Sequence, residues 1–335
     1  MLSTLIDKVK STVKKYKMLE KYDKVLLGLS GGADSIVLLN VLVALKKEHH
    51  LSIHIAHLDH KFRGEESKGD RIFCENLAKD LKLDFNYEEI DIPKIVEDTG
   101  LSSEEAARKE RYKFFNKVCE KNNIKKIAVA HTKDDQAETV LMRLIRGSGM
   151  SGLGAISPMK NIKGLTIIRP LIEVSREEIE GFIKENSLEY RHDSSNDSNI
   201  FTRNKVRHEL LPYLEKNFNS NIKKILSNTA ENLREENEFL EKLAKRKRKS
   251  ISKKNKQGEI VLDIKKLKKE DLALRKRILR NALEEVKGDL RRFTYQHWKE
   301  IEALINERPT NSIVDLPSGI KVVKNQNTLV VRREK

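Results

Sequence analysis

The chain has 335 residues, enough for roughly two domains of about 150 residues each. It is 38% apolar and 35% charged, and its apolar residues recur at regular periods, which excludes a disordered chain. A membrane protein is excluded as well, because the longest apolar stretch, residues 36–45, is broken by Asn40 and falls far short of the ~20 residues a span needs. The formal charge of +16 comes from 67 Lys and Arg against 51 Asp and Glu. Residues 241–280 alone hold 17 basic and 5 acidic residues, a net +12. A phosphate backbone suits such a patch through counterion release, and a solvated helical face is the alternative that charge alone leaves open. No secretory or transit pattern is present near the start, and Cys74 and Cys119 belong to no Cys-x-x-Cys pair. The expectation is a reducing, cytoplasmic setting without disulfides or a cysteine-held cluster.

Residues 24–30 (KVLLGLS) form an apolar run that ends in glycines, followed by a helical pattern over 34–48. Residues 51–58 (LSIHIAHL) alternate as a strand, 65–81 read as a helix and 83–90 as a further strand. Ser102 is placed to cap the next helix, with Glu105 closing an S-x-x-E box. Residues 124–130 then read as a strand and 134–146 as a helix. This alternation predicts an α/β fold with a mainly parallel sheet covered on both faces, and such sheets bind ligands beyond the carboxyl ends of their strands. After Arg169-Pro170 come a short helix (175–185), a polar loop (190–199), a helix from about 201 that stops before Pro212, and a long Lys/Glu-rich helix from about 215. A short strand (259–264), two helices and a small β module follow, with turns at 317–319 and 325–327. The expected boundary divides residues 1–215 from a smaller, basic α/β region of residues 216–335.

The sharpest local signal is Ser30-Gly31-Gly32-Ala33-Asp34-Ser35, between a buried-strand pattern and a helix. Two glycines let backbone N–H groups turn inward at a helix N-terminus, and two serine hydroxyls add donors: an anion cradle. It lacks the Lys of the Walker loop and does not match G-x-G-x-x-G. Asp34 beside bound phosphates requires a bridging cation, which suits Mg²⁺; for Gly-Gly alone an ordinary βα turn with Asp34 as helix cap would be the reading. His57, Asp59 and His60 lie at the end of the second strand, where a hydrogen-bond cluster is favoured over a metal site. Arg108 and Arg111 share a helix face, with Glu104, Glu105 and Glu110 as available ion-pair partners. His131, Asp135 and Glu138 share one face at a helix start. Arg203 and Arg207, four apart, suit a carboxylate or phosphate, and Asp193 and Asn196 suit an Asx turn.

These motifs resemble the PP-loop ATP pyrophosphatases, and within them the tRNA(Ile)-lysidine synthetases. The resemblance rests on S-G-G-x-D-S, on His57-Leu58-Asp59-His60-Lys61-Phe62-Arg63 with Phe62 in place of the usual Leu, on Arg108-x-x-Arg111-Tyr112, on the segment from His131 to Gly149, on Asp193-x-Ser195-Asn196 and on Arg203-Asn204-x-x-Arg207. It implies a parallel-sheet PP-loop domain followed by a basic helical plus α/β region. It further implies that ATP adenylates the wobble cytidine of tRNA(Ile) with a CAU anticodon, that L-lysine then displaces AMP, and that codon reading changes from AUG to AUA. By resemblance, Ser30, Gly31, Gly32, Ala33, Asp34, Ser35, His57 and Arg63 hold ATP, with Asp34 on Mg²⁺ through the phosphates. Asp34, His131 and Asp135 serve the chemistry, while Asp135, Glu138, Arg143 and Arg203 hold lysine. Arg108, Arg111 and Arg207, with Lys245, Lys247, Arg275 and Arg277 of the basic region, contact tRNA. Longer members carry a further C-terminal module, so fewer tRNA contacts are expected here; a homodimer is left open and no membrane partner is expected.

Overall fold

A computed structural model describes residues 2–61, 65–162, 164–191, 202–290 and 292–334. The chain forms two compact units, Met1–Leu233 and Arg234–Lys335. The first contains α1 (Leu2–Lys15), β1 (Lys24–Gly28), α2 (Ala33–His49), β2 (Ser52–Asp59), α3 (Glu65–Asp80) and β3 (Asp84–Glu89). It continues with α4 (Ile92–Thr99), α5 (Ser103–Asn122), β4 (Lys126–Ala128), α6 (Lys133–Ile145), α7 (Met150–Leu153), β5 (Met159–Ile162), β6 (Leu165–Ile168) and α8 (Arg176–Glu185). After α9 (Thr202–Lys205) a π-helical turn, Val206–Leu210, leads into α10 (Leu211–Asn217) and α11 (Ile222–Ile251), within which the division between units falls.

Strands run in the order β3-β2-β1-β4-β6-β5. All neighbours are parallel except the β5–β6 pair. Alternation on β1 explains the two covered faces. Val25 and Leu27 join a core with α1, α2 and α8, whereas Leu26 joins Phe114 and Phe115 of α5 on the opposite side, as period-two side chains must. Gly28 faces α5, where a Cβ would come within 2.7 Å of the Phe115 ring. The chain moves from β1 outward to β3 and then returns to the other side of β1 as β4. That reversal opens a crevice beyond the carboxyl ends of β1 and β4, the place where such sheets take ligands.

Several expected elements differ in detail. Pro212 does not end a helix: it occupies the first turn of α10, where its missing N–H is harmless,. The long helix starts at Ile222 and not near 215, because Asn219 turns the chain by accepting the Asn221 amide on its side chain at 2.9 Å. Ser102 caps α5 by accepting from the Glu105 amide at 3.3 Å. Helix α1 carries a regular apolar stripe, Leu5, Val9 and Val13, that the sequence reading passed over, whereas β5 and β6 are only four residues each.

The second unit contains β7 (Ser252–Lys254), β8 (Ile260–Asp263), α12 (Ile264–Lys268), α13 (Leu272–Lys287), α14 (Tyr295–Asn306), β9 (Ile313–Leu316), β10 (Ile320–Lys324) and β11 (Thr328–Arg333). Its strands form an antiparallel sheet ordered β7-β8-β11-β10-β9. A separate core of Ile, Leu and Val joins the sheet to α13 and α14.

Candidate active site

Residues 29–32 cross from β1 to α2 at the crevice. Gly31 has φ +89°, a conformation that favours glycine, and Gly32 enters α2 without any side chain capping the helix amides. Those amides and the helix dipole are therefore presented to an anion. Ser30 Oγ accepts from the Gly32 amide at 3.3 Å and donates to Ser35 Oγ at 3.2 Å, while Ser35 Oγ donates to the Gly32 carbonyl at 2.8 Å. His57, buried at the end of β2, fixes the approach to the loop: its Nδ1 lies 2.9 Å from the Leu29 carbonyl oxygen. Burial depresses the His57 pKa, so the neutral ring donates from Nδ1. Asp59 accepts the Lys61 amide at 2.8 Å and His60 pairs with Arg111 at 3.4 Å, a hydrogen-bond cluster as the residues suggest.

Asp34 leads α2 and is half-buried. Its carboxylate accepts from Arg176 Nη1 at 3.1 Å across 142 residues of sequence. Burial pushes the Asp34 carboxyl up to about 6, with Asp135 and Asp134 adding to the rise and Arg176 and Arg207 opposing it. The loop and the acidic start of α6 therefore share one electrostatic site. Arg176 owes its place to Ser175, which caps α8 in a full capping box with Glu178, and to Asp134, which accepts the Arg176 amide at 2.7 Å. The sequence reading passed over Arg176; the S-x-x-E signature at 175–178 was its available signal.

The second half of the site is the start of α6. Thr132 caps it in a box with Asp135, whose Oδ2 accepts the Thr132 amide at 2.7 Å. Asp135 Oδ1 accepts from Arg203 Nη2 at 2.6 Å, and the buried Glu138 accepts from Arg203 Nε at 2.7 Å. Arg207 adds bonds to Glu138, through Nε and, at 3.1 Å, Nη2. Two carboxylates and two guanidiniums thus interlock, with the π-helical turn and the start of α10 docked on α6 through Ala137, Leu141, Val206 and Leu211. Burial works to raise the Asp135 carboxyl, but Arg203, His131, the Thr132 amide and Arg207 outweigh it and the net displacement is downward. Burial carries His131 down to about 4, against Asp135 and reinforced by Arg169, Arg203 and Arg108; its Nδ1 accepts from Arg169 Nε at 3.3 Å.

The remaining candidates lie in varied surroundings. Arg143 donates to the backbone carbonyls of Gly152, through Nη1, and of Ala155 at 2.9 Å, bracing the turn after α6. Arg108 is exposed and stacks over Tyr112 at 5.1 Å. Arg63, Asp193, Ser195 and Asn196 lie outside the described residues. In the second unit, Lys247 pairs with Glu270 at 3.0 Å, Arg277 with Glu241 and Asn237 at 2.7 Å, and Arg275 donates to three carbonyls at the turn before α13. Lys245 is exposed.

A family model described as a PP-loop domain matches residues 1–214, and one described as the TilS substrate binding domain matches residues 262–333. Among curated relatives, the tRNA(Ile)-lysidine synthase of Clostridioides difficile strain 630 is 38% identical, over 98% of this chain and 71% of its own length. That of Caldanaerobacter subterraneus subsp. tengcongensis is 40% identical, over 99% and 70%. Among solved structures, the U34-tRNA thiolase NcsA from Methanococcus maripaludis, with its [4Fe-4S] cluster, aligns with a TM-score of 0.57 at 21% identity, covering 70% of this chain and 80% of that one; it shares the fold. A PP-loop match over residues 1–214 of the crevice-bearing unit and relatives aligned along nearly the full chain lead to one conclusion: the chain belongs to the tRNA(Ile)-lysidine synthase family of PP-loop ATP pyrophosphatases.

Proposed function

We propose that this protein joins L-lysine to C2 of the wobble cytidine in the CAU anticodon of tRNA(Ile), consuming ATP and releasing pyrophosphate and AMP. The observation that carries this reading is that Arg176 ties the phosphate loop to the acidic start of α6, through Asp34 at 3.1 Å and Asp134 at 2.7 Å, in a chain whose relatives bear the lysidine synthase name. The C2 carbonyl of cytosine has no leaving group. Transfer of the adenylyl group to its oxygen, with loss of pyrophosphate, creates one; attack by the lysine ε-amine at C2 then expels AMP, which carries that oxygen away, and the amine's proton passes to solvent.

Ser30, Gly31, Gly32, Ala33 and Ser35 cradle the phosphates. The donor set there, one carboxylate with serine hydroxyls, fits Mg²⁺, which takes few protein ligands and completes its shell from phosphate and water. Asp34 would hold that ion, whose charge offsets the phosphate oxygens, and Arg176 takes part of the same role. Asp135 and Glu138 bind the amines of lysine, competing with Arg203 and Arg207 for them; Arg203 then faces the lysine carboxylate. The downward displacement of Asp135 suits ion pairing better than taking a proton from an ammonium of pKa about 10.4. His131, neutral at pH 7, offers a hydrogen bond to nucleotide or base.

A PP-loop tRNA thiolase is the rival. It needs a nucleophilic sulfur, yet both cysteines are buried and burial pushes each thiol up to about 12, which leaves no thiolate at neutral pH. The deciding experiment incubates the purified protein with ATP, Mg²⁺, radiolabelled lysine and bacterial tRNA. Label that survives alkaline deacylation is expected; ATP cleavage that depends on tRNA but leaves no stable label would overturn the proposal.

A further inference from the structure

Asp135 and Glu138 are both buried. A buried carboxylate without a counter-ion is costly, so this pair cannot stand empty while it waits for a cationic ligand. Arg203 and Arg207 fill it, but not equally. Arg203 clamps both acids, with Nη2 at 2.6 Å from Asp135 and Nε at 2.7 Å from Glu138. Arg207 holds Glu138 through Nε and Nη2 and reaches Asp135 only at 3.5 Å. It is also the more exposed of the two, at 36% of its side chain against 27%. Its charge is felt at the phosphate loop as well. Burial raises the Asp34 carboxyl, and Arg207 stands with Arg176 among the groups that oppose the rise, which puts its guanidinium within electrostatic reach of the loop.

We propose that Arg207 is a latch on the lysine site: with the phosphate loop empty it closes the Asp135–Glu138 pair, and when ATP fills the loop it moves to the phosphates and uncovers Glu138. A guanidinium gains by that exchange, since it meets phosphate oxygens in the same two-point geometry as a carboxylate and against a larger negative charge. Release frees Glu138 Oε1, the oxygen that Arg203 does not engage, while Arg203 stays across both acids. The charge then balances for one kind of ligand. With Arg207 withdrawn, the two acids and Arg203 carry one net negative charge. Lysine, with two ammoniums and one carboxylate, brings one net positive charge; an amino acid with an uncharged side chain brings none. The latch rests on the assignment of ATP and lysine to this crevice. It adds an order, nucleotide before lysine, and couples the two affinities.

Calorimetry on the full chain, without tRNA, tests the latch. L-lysine is titrated with and without Mg²⁺ and α,β-methylene ATP, an analogue that cannot release pyrophosphate. Lysine is expected to bind the wild type about tenfold or more tighter when the analogue is present, and the analogue to tighten by the same factor when lysine is present. In Arg207→Gln the pair is open from the start. Lysine alone is then expected to bind tighter than it does to the wild type, and the effect of the analogue to shrink below about threefold. The sign separates a latch from a brace, because loss of a merely structural residue weakens lysine binding in both conditions. The wild-type comparison needs no variant, so it decides even where Arg207→Gln does not fold. Equal lysine affinity with and without the analogue in the wild type, or weaker binding of lysine alone by Arg207→Gln, overturns the latch and leaves the site assignment standing. A wild type that binds neither lysine nor the analogue sinks the assignment of the crevice, and the latch with it.

Discussion

Asp34 is subject to two opposed demands. Burial favours its neutral form, raising its carboxyl to about 6, while a metal–phosphate site needs it ionised. Because the folded pKa exceeds the unfolded one, the folded chain binds the extra proton between about 4 and 6. That group's contribution to stability therefore declines as pH rises through the window and is flat above it. Nucleotide binding runs the other way. Mg²⁺–ATP affinity is expected to hold above pH 6 and to weaken by roughly tenfold per unit below it, and calorimetric titration at pH 5, 6 and 7 checks this. Affinity that is level from 5 to 7 would take Asp34 out of the metal role. Gly31→Ala is the companion test: at φ +89°, with Cys74 Sγ 3.4 Å from the new Cβ, it is expected to lose about 1 kcal/mol or more of stability and most ATP cleavage. Asp34 and Gly31 were legible in sequence because the six-residue loop carries its own chemistry. Arg176 was not, since its pairing with Asp34 exists only once the sheet has brought α8 to α2.

At the scale of elements, spacing was legible and partnership was not. Asp135 and Glu138 on α6, and Arg203 and Arg207 four residues apart, each announce a shared face. That the two pairs meet depends on the π-helical turn and the start of α10 packing on α6 through Val206, Leu211, Ala137 and Leu141, a contact no local pattern encodes. The π-helical turn contains Arg207, and an inserted residue of that kind re-aims side chains around functional sites. Glu138, 2% exposed at its side chain, is the keystone of the set, because it receives bonds from both guanidiniums at 3.1 Å or less, whereas Arg207 reaches Asp135 only at 3.5 Å. Glu138→Ala leaves both short of a partner. Breaking a buried pair costs roughly 3–5 kcal/mol, and the partial exposure of the arginines places the expectation near about 3. Urea unfolding measures it; a loss below about 1 kcal/mol would mean that water resolvates the arginines and that the network is open to substrate without cost.

The whole molecule is unevenly charged: residues 241–280 hold a net +12 of a total of +16. The α/β alternation of residues 24–146 made the first unit's sheet readable, because each strand or helix there has a full period of its own. The second unit was read only as basic, helical and partly β, since its antiparallel sheet pairs β8 with β11, from Asp263 to Thr328 across the intervening helices and strands. Charge placement nonetheless separates two kinds of ligand. A patch that neutralises 6 or more phosphates loses about 10³-fold in affinity between 50 and 200 mM salt, and tRNA binding is expected to fall on that scale. The proposed ATP and lysine sites lie at the crevice of the other unit, on a short loop and on buried ion pairs, which salt screens far less. Their KM values, measured at saturating tRNA over the same range, are expected to move less than about threefold. If KM for lysine instead rose in step with the tRNA dissociation constant, the Asp135–Glu138 pair would not be where lysine is held. The basic unit's RNA contacts would then control lysine capture, and the division of labour between the two units would fail.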